Sequence, residues 1–162
     1  MRKSLKSSGF TLIEIILVIA LFSLAFGFIL VSITRPKSQA DIRAAEDQIY
    51  FALKEAQNLA MVGSTGGSSS AESHGVHFEQ NKIVIFKGAS YNLSDTANLE
   101  TTFEPSISIS PINLPSSNII FSKLSGEVQN YSGAQNNFAL TESNTGQTRA
   151  FTINQYGRVT IN

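Results

Sequence analysis

Side chains that commonly carry out chemistry are scarce in this sequence of 162 residues. It has no cysteine, which excludes a thiol nucleophile, a disulfide and a cysteine-ligated zinc site. Its two histidines, His74 and His77, lie three positions apart at a predicted loop–strand junction. On a strand, positions three apart point to opposite faces, so the pair is poorly placed to share a metal ion. We therefore predict no metal site, no cofactor and no enzymatic activity.

One carboxylate lies in an unusual place. Glu14 is the only charged residue between Phe10 and Ile33, a segment composed mostly of aliphatic and phenylalanine side chains. A carboxylate in the middle of a membrane helix costs roughly 2.5–3.5 kcal/mol, and less near a helix end, so its presence suggests a functional partner. Alternatively, Glu14 caps the start of its helix, where a negative charge suits the helix dipole. The residues alone favour neither interpretation.

The segment that follows Glu14 is long enough to cross a membrane. Residues 15–33 are uncharged, and as a helix they would reach about 28 Å, close to the roughly 30 Å thickness of the hydrocarbon core. Three positive side chains lie in residues 1–9, and Arg35 and Lys37 follow the apolar run. The larger positive share before the run predicts a cytoplasmic N-terminus and an extracytoplasmic remainder.

An ordinary signal peptide, cleaved after Ala40, is the alternative to a membrane helix. Ser38-Gln39-Ala40 has the small residues of such a cleavage site. The apolar run is longer than the core of a signal peptide, and Arg35-Pro36-Lys37 lies between that run and the site. Both features argue against this cleavage.

A motif at the N-terminus resembles a known family signature. Gly9-Phe10-Thr11-Leu12-Ile13-Glu14 follows a short basic leader and precedes an apolar helix. This arrangement resembles the signature of type IV pilins and type II secretion pseudopilins. The resemblance implies cleavage between Gly9 and Phe10 by a prepilin peptidase and N-methylation of the new Phe10 amine. It also implies that Glu14 contacts the Phe10 amine of a neighbouring subunit during assembly.

The first 62 residues divide into three predicted segments: a leader at 1–9, a membrane or filament-core helix at 10–33, and an amphipathic continuation at 34–62. Apolar residues recur at three- and four-residue steps between Ile42 and Ala60, which indicates one buried helix face. Pro36 lacks an N–H group, so we expect a kink or short break near Thr34–Lys37. Gly63 is suited to cap the end of the helix.

Residues 63–162 are predicted to form a β-rich extracytoplasmic domain. A hairpin is expected from Gly75–Phe78 and Lys82–Lys87, and Pro111 and Pro115 should interrupt the alternating stretch after Ile109. Tyr91–Glu104 has no clear period and is predicted to be a loop. Further strands are predicted at Asn118–Phe121, Phe138–Thr141, Arg149–Ile153 and Arg158–Ile161. The fold class is therefore α+β, with a long N-terminal helix packed on an antiparallel sheet or sandwich, as in a pilin-like fold.

The domain after the helix also resembles the H-type minor pseudopilins (GspH/FimT-like). The matching pieces are Ala52–Ala56, Gly75–Phe78, Ile119–Phe121 leading to Gly126, and the closing pair Phe151–Ile153 and Gly157–Ile161. This resemblance implies a minor subunit. Many pilins carry a disulfide near the C-terminus, and the absence of cysteine excludes one here.

Together these features predict a non-enzymatic minor subunit of a type IV pilus or type II secretion pseudopilus. Its partners would be prepilin peptidase, other pilin subunits and the cytoplasmic membrane, which it would span once before entering an extracytoplasmic filament. A DNA-binding competence pilin is one alternative, suggested by Arg149 and Arg158. From Ser38 onward, however, 7 basic side chains face 11 acidic ones, which gives little attraction for phosphate. A secreted or anchored β domain with an ordinary signal peptide is the other alternative.

Overall fold

The computed structural model describes residues 10–64 and 70–162, and for residues 28–36 it describes the backbone alone. The chain divides into two compact units, residues 1–37 and Ser38–Asn162. One helix, α1, spans Leu12–Met61, and a short 3-10 helix spans Pro115–Ser117. The strands are β1 (His74–Phe78), β2 (Lys82–Lys87), β3 (Leu99–Thr102), β4 (Ile107–Asn113), β5 (Asn118–Phe121), β6 (Asn137–Glu142), β7 (Thr148–Ile153) and β8 (Val159–Ile161).

The sequence predicts a kink or a short break near Thr34–Lys37, and the break does not occur, because the helical backbone of α1 continues through Pro36. A proline removes one hydrogen-bond donor from a helix, and the bonds on either side can sustain the remaining turns. Among the described residues, no helical stretch has the combined length and hydropathy of a membrane span. The predicted span at 10–33 includes Phe28–Ile33, whose side chains lie outside the described residues.

In the second unit, α1 buries the stripe that its periodicity predicts. The stripe repeats at three- and four-residue steps and comprises Ile42, Ala45, Ile49, Ala52, Leu53, Ala56 and Ala60. The helix ends in two bonds of a Schellman motif, from Ser64 N–H to the Leu59 carbonyl and from Gly63 N–H to the Ala60 carbonyl. Gly63 adopts φ +68°, which confirms its predicted capping role.

The strands form two four-stranded antiparallel sheets. Sheet A has the order β3-β2-β1-β5, and sheet B has the order β4-β6-β7-β8. Side chains from both sheets and from the α1 stripe belong to one hydrophobic core, in which Phe138 packs between Phe78 and Phe151 at centroid distances of 4.6 and 4.7 Å. The predicted α+β class, with an N-terminal helix on antiparallel sheets, is confirmed.

One prediction about the strands fails, and the prediction about the prolines after Ile109 holds in a milder form. The predicted loop at Tyr91–Glu104 contains β3, a short edge strand whose residues are largely exposed and therefore show no apolar alternation. The predicted interruption after Ile109 is confirmed: Pro111 disturbs the pairing without ending the strand, and β4 ends at Asn113, before Pro115. Pro111 lies within β4, at a register shift between Ile109 and Ile112, and because β4 is the first strand of sheet B, an edge position tolerates the missing N–H group.

Candidate functional site

At the start of α1, the predicted assembly residue Glu14 and the nearby Thr11 cap the helix by bonding to each other. The Glu14 carboxylate oxygen Oε2 accepts bonds from the Thr11 backbone N–H at 2.8 Å and from the Thr11 hydroxyl at 2.9 Å. In return, Thr11 Oγ1 accepts the Glu14 backbone N–H at 3.3 Å. This is a capping box, in which an N-cap Thr and a Glu three residues later satisfy each other's free N–H groups. The Thr-x-x-Glu spacing is the sequence signature of this box, and it identifies Thr11 as the partner of Glu14 in the capping role considered from the sequence.

The predicted processing residues lie immediately before this cap. Phe10 precedes the helix and is 84% exposed, whereas Gly9 lies outside the described residues. Because Thr11 follows Phe10 directly, Glu14 lies close to the position where cleavage would create a free amine. Both side-chain bonds to Glu14 use Oε2, and within the described residues Oε1 accepts no hydrogen bond.

The first turns of α1 expose a large apolar surface. The side chains involved are between 43% and 79% exposed and comprise Leu12, Ile13, Ile15, Ile16, Leu17, Val18, Ile19, Leu21, Phe22, Leu24 and Phe26. A shallow groove of about 310 Å³ runs among Val18, Leu21, Phe22 and Ala25. A soluble monomer rarely leaves a contiguous apolar surface of this size uncovered, so this part of the helix requires a lipid or protein environment.

Both histidines contact neighbouring protein groups in the way that structural side chains do. His77 Nδ1 lies 2.7 Å from Asn118 Oδ1, and its ring stacks on Tyr91 at a centroid distance of 4.0 Å. His74 is 4% exposed, and this burial lowers the pKa of its imidazole, although Nδ1 lies 3.3 Å from the Glu72 carbonyl oxygen. Within the described part of the chain, no three potential metal ligands of the His, Cys, Asp or Glu type come together.

The arginines considered for DNA binding lie in a mixed electrostatic environment. Arg149 Nε lies 3.7 Å from Glu46 Oε2, and both residues line a cleft of about 430 Å³ with Arg43 and Asp47. Arg158 is exposed on the turn before β8. A cleft with two carboxylates beside two guanidinium groups gives no continuous basic surface for a phosphate backbone.

A further carboxylate, in the turn between β6 and β7, was not singled out in the sequence. Glu142 is fully buried and accepts four bonds, two from Asn144 at 2.7 and 3.0 Å and two from Thr145 at 2.6 and 2.8 Å. The Thr145 hydroxyl and the other donors lower the pKa of Glu142 to about 2. The polar turn Glu-Ser-Asn-Thr-Gly between two apolar runs was the available signal, since such residues bond the backbone of their own turn.

Comparison with known families identifies one segment of the chain. The prokaryotic N-terminal methylation motif matches residues 4–30, which is 27 of the 162 residues. No curated protein and no solved structure matches the chain. The matched segment contains Phe10, Thr11 and Glu14 and the first turns of α1. The motif is typical of structural, generally non-enzymatic subunits that a prepilin peptidase processes. The chain therefore carries a type IV pilin-like prepilin signature, which supports a processed subunit of the pilin or pseudopilin type.

Proposed function

We propose that this protein is a minor subunit of a type IV pilus or a type II secretion pseudopilus. The observation that carries the proposal is the methylation motif at residues 4–30, whose Glu14 lies in the first turn of an apolar helix. The precursor inserts into the cytoplasmic membrane through residues 10–33, with its N-terminus in the cytoplasm. Prepilin peptidase cleaves between Gly9 and Phe10, the Phe10 amine is methylated, and the helix then polymerises with other subunits.

The minor rank is proposed from the domain at residues 63–162. The pieces that resemble the H-type pseudopilins fall on strands β1, β5, β7 and β8 and on the buried face of α1. These elements contribute to one hydrophobic core, so the residues that resemble the H-type pseudopilins are on elements that form the core of the domain.

Glu14 performs two roles in the proposed mechanism. Its Oε2 caps the helix through Thr11, and its free Oε1 accepts the Phe10 amine of the neighbouring subunit. A carboxylate has about four lone-pair sites, so the two roles do not compete. An α-amino group has a pKa near 8 and is mostly cationic at neutral pH. Once this pair is buried between helices, removal of one partner costs about 3–5 kcal/mol, so the pair selects subunits in the correct register.

The mass of the mature protein tests the proposal. The full chain is expressed in cells with and without a prepilin peptidase, and its N-terminus is identified by intact-mass measurement. We expect a chain that begins at Phe10 and is one methyl group heavier than its sequence predicts, only where the peptidase is present. A start at Asp41, or an uncut Met1 in both strains, would overturn the proposal in favour of a secreted or anchored β domain.

A further inference from the structure

Two clefts in the second unit share Arg43 and Arg149 in their linings. The first, the mixed cleft of about 430 Å³ described above, also contains the carboxylates of Glu46 and Asp47. The second, which we call the amide cleft, measures about 310 Å³ and is completed by Gln39, Ile42, Gln147 and Thr148. None of the residues that line the amide cleft carries a carboxylate. The two arginines therefore lie where a site that contains carboxylates meets a site without any.

The helix side of the two clefts changes its charge from turn to turn. Gln39, Arg43 and Asp47 are spaced four residues apart on α1, so they lie on one helix face at successive turns. Each step advances about 6 Å along the helix axis. The lining therefore passes from a neutral amide to a guanidinium group and then to a carboxylate in the direction of the chain.

The strand side of the clefts is held by the turn between β6 and β7. Arg149 belongs to the row of β7 side chains that includes the buried Phe151 and Ile153, so it points toward α1. The Glu142 N–H donates to the Gln147 carbonyl at 2.8 Å, in the same turn that the four bonds to the Glu142 carboxylate fix. Because this backbone is already ordered, a ligand that binds Gln147 and Arg149 pays little for ordering the strand.

One guanidinium group and one carboxylate in the mixed cleft are available to a ligand. Within the described residues, the ion pair at this site joins Arg149 to Glu46 at 3.7 Å, and neither Arg43 nor Asp47 takes part in one. An arginine four residues before an acidic residue is also the weaker order for an ion pair along a helix. Arg43 and Asp47 thus remain free to bind opposite charges from outside the chain.

These charges specify a ligand with an anion and a cation a short distance apart. The planar guanidinium groups of Arg43 and Arg149 match the oxygens of a phosphate group, and the neighbouring amides can donate to the same oxygens. A primary ammonium group is the natural partner of Asp47, about one helical turn away. A phosphate joined to an ammonium by a two-carbon link has this layout. A chain of several phosphates does not, because it would bring negative charge toward Glu46 and Asp47.

The position of the clefts along the chain indicates where such a group would come from. Gln39 and Arg43 follow Ile33, the last residue of the proposed membrane span, by six and ten positions. As helix, these intervals amount to about 9 and 15 Å. The headgroup layer on each side of a bilayer is about 5–8 Å thick, so the amide cleft begins close to the lipid headgroups. A headgroup whose phosphate is nearer to the hydrocarbon than its ammonium then meets the lining groups in the order in which α1 presents them.

We propose that the two clefts bind the headgroup of a zwitterionic phospholipid of the phosphatidylethanolamine class. The phosphate lies between Arg43 and Arg149, where Gln39 and Gln147 donate to its remaining oxygens, and the ammonium lies beside Asp47. The inference rests on the proposed function, because the membrane span is what brings the clefts to a bilayer. A bound headgroup gives the second unit a membrane contact of its own.

Native mass spectrometry of the full mature chain tests the proposal. The chain is released from a neutral detergent in the presence of equimolar dioctanoyl phosphatidylethanolamine and dioctanoyl phosphatidylglycerol, and the retained lipid is identified by its mass. We expect a single retained lipid. Because Asp47 is exposed and an exposed ion pair contributes little, the preference for phosphatidylethanolamine should be about two- to fivefold.

Two substitutions separate the phosphate contact from the ammonium contact. Arg43→Gln should lower the retention of both lipids by about tenfold, because it removes charged hydrogen bonds to the phosphate. Arg158→Gln is its control, since Arg158 is exposed and lines neither cleft. Asp47→Asn should abolish the preference between the lipids without lowering the retention of phosphatidylglycerol. The exposed Glu104→Gln, which also lines neither cleft, should keep the native preference.

Each other outcome contradicts the inference in a recognisable way. Equal retention of the two lipids by the native chain would overturn the ammonium contact with Asp47. Retention that is unchanged in Arg43→Gln would mean that the lipid binds elsewhere, such as on the apolar turns of α1. If inorganic phosphate alone is retained through Arg43 and neither lipid is, the ligand is free phosphate. The start of the mature chain is read from the same spectrum, so a failure of processing and a failure of lipid binding are recorded separately.

Discussion

Two carboxylates in this protein perform local structural work through very similar bonds. Glu14 and Glu142 each accept a backbone N–H and a threonine hydroxyl within three residues of their own position. Glu14 is exposed and keeps one oxygen free, whereas Glu142 is fully buried and uses both oxygens. The first can therefore bind a partner from outside the chain, and the second can only stabilise its own turn.

Substitution of Glu14 by glutamine or valine separates capping from charge pairing. Glutamine can accept the same Thr11 bonds but carries no charge, whereas valine removes both functions. We expect both variants to insert into the membrane and both to enter filaments at least tenfold less than the native chain, because each leaves the Phe10 amine without a counter-charge. The measurement is the fraction of chain in sheared filaments relative to the fraction in membranes. If Glu14→Gln assembles normally and only Glu14→Val fails, capping is the role that matters.

Glu142 should make stability depend on pH in the acid range. Folding lowers its pKa from the ordinary 4.5 to about 2, so the folded state favours the ionised form. Its contribution is fully present above pH 4.5 and is lost as the pH falls toward 2. In Glu142→Gln, the side-chain NH₂ group would face the N–H and O–H donors of Asn144 and Thr145, so the variant should be less stable than the native chain at pH 7. This difference in stability should disappear below pH 3. Denaturation midpoints across this range test the prediction, with exposed Glu104→Gln as a variant that should leave the curve unchanged.

Among the elements, those with strong local patterns were the ones that the sequence could predict. The β1–β2 hairpin combines two apolar runs with a short polar turn, and α1 carries a regular apolar stripe through residues 42–60. Strand β3 could not be predicted in this way, because Leu99–Thr102 packs by one edge and buries little of its own surface. The capping box at Thr11 was readable from spacing alone. The four bonds to Glu142 form only once the turn between β6 and β7 has folded, so the spacing of the residues alone does not predict them.

Gln57 links α1 to two loops that are distant in sequence. Its Nε2 donates to the Gly126 carbonyl at 2.9 Å and to the Tyr156 carbonyl at 3.0 Å. Gln57→Ala removes both bonds and leaves the partly buried Gly126 carbonyl unpaired, which should lower the free energy of unfolding by about 1–3 kcal/mol. The adjacent, exposed Asn58→Ala is the control for the loss of an amide on the same turn. Equal destabilisation of the two variants in urea unfolding would show that the loop contacts contribute nothing.

Across residues 38–162, the helix and both sheets depend on one shared core. Its members come from α1, from sheet A and from sheet B, and Phe138 contacts an aromatic ring from each sheet. None of these elements buries its apolar face without the others, because a helix stripe or a single sheet face needs a partner layer. The second unit should therefore unfold in one cooperative transition, and a destabilising substitution at any core position should lower the stability of the whole unit.

Ile49→Ala tests this cooperativity from the helix side. Ile49 is 0% exposed on the buried stripe, and truncation of such a side chain leaves a cavity and typically costs about 2–5 kcal/mol. Unfolding of the full chain in detergent would be followed by circular dichroism of the helix and by hydrogen exchange of amides in β1 and β6. We expect both probes to shift by the same amount, whereas the exposed neighbour Gln48→Ala should change stability by no more than about 0.5 kcal/mol. If the helix signal shifts while the β6 amides keep their protection, sheet B is held by contacts of its own, and the shared core does not bind the unit together.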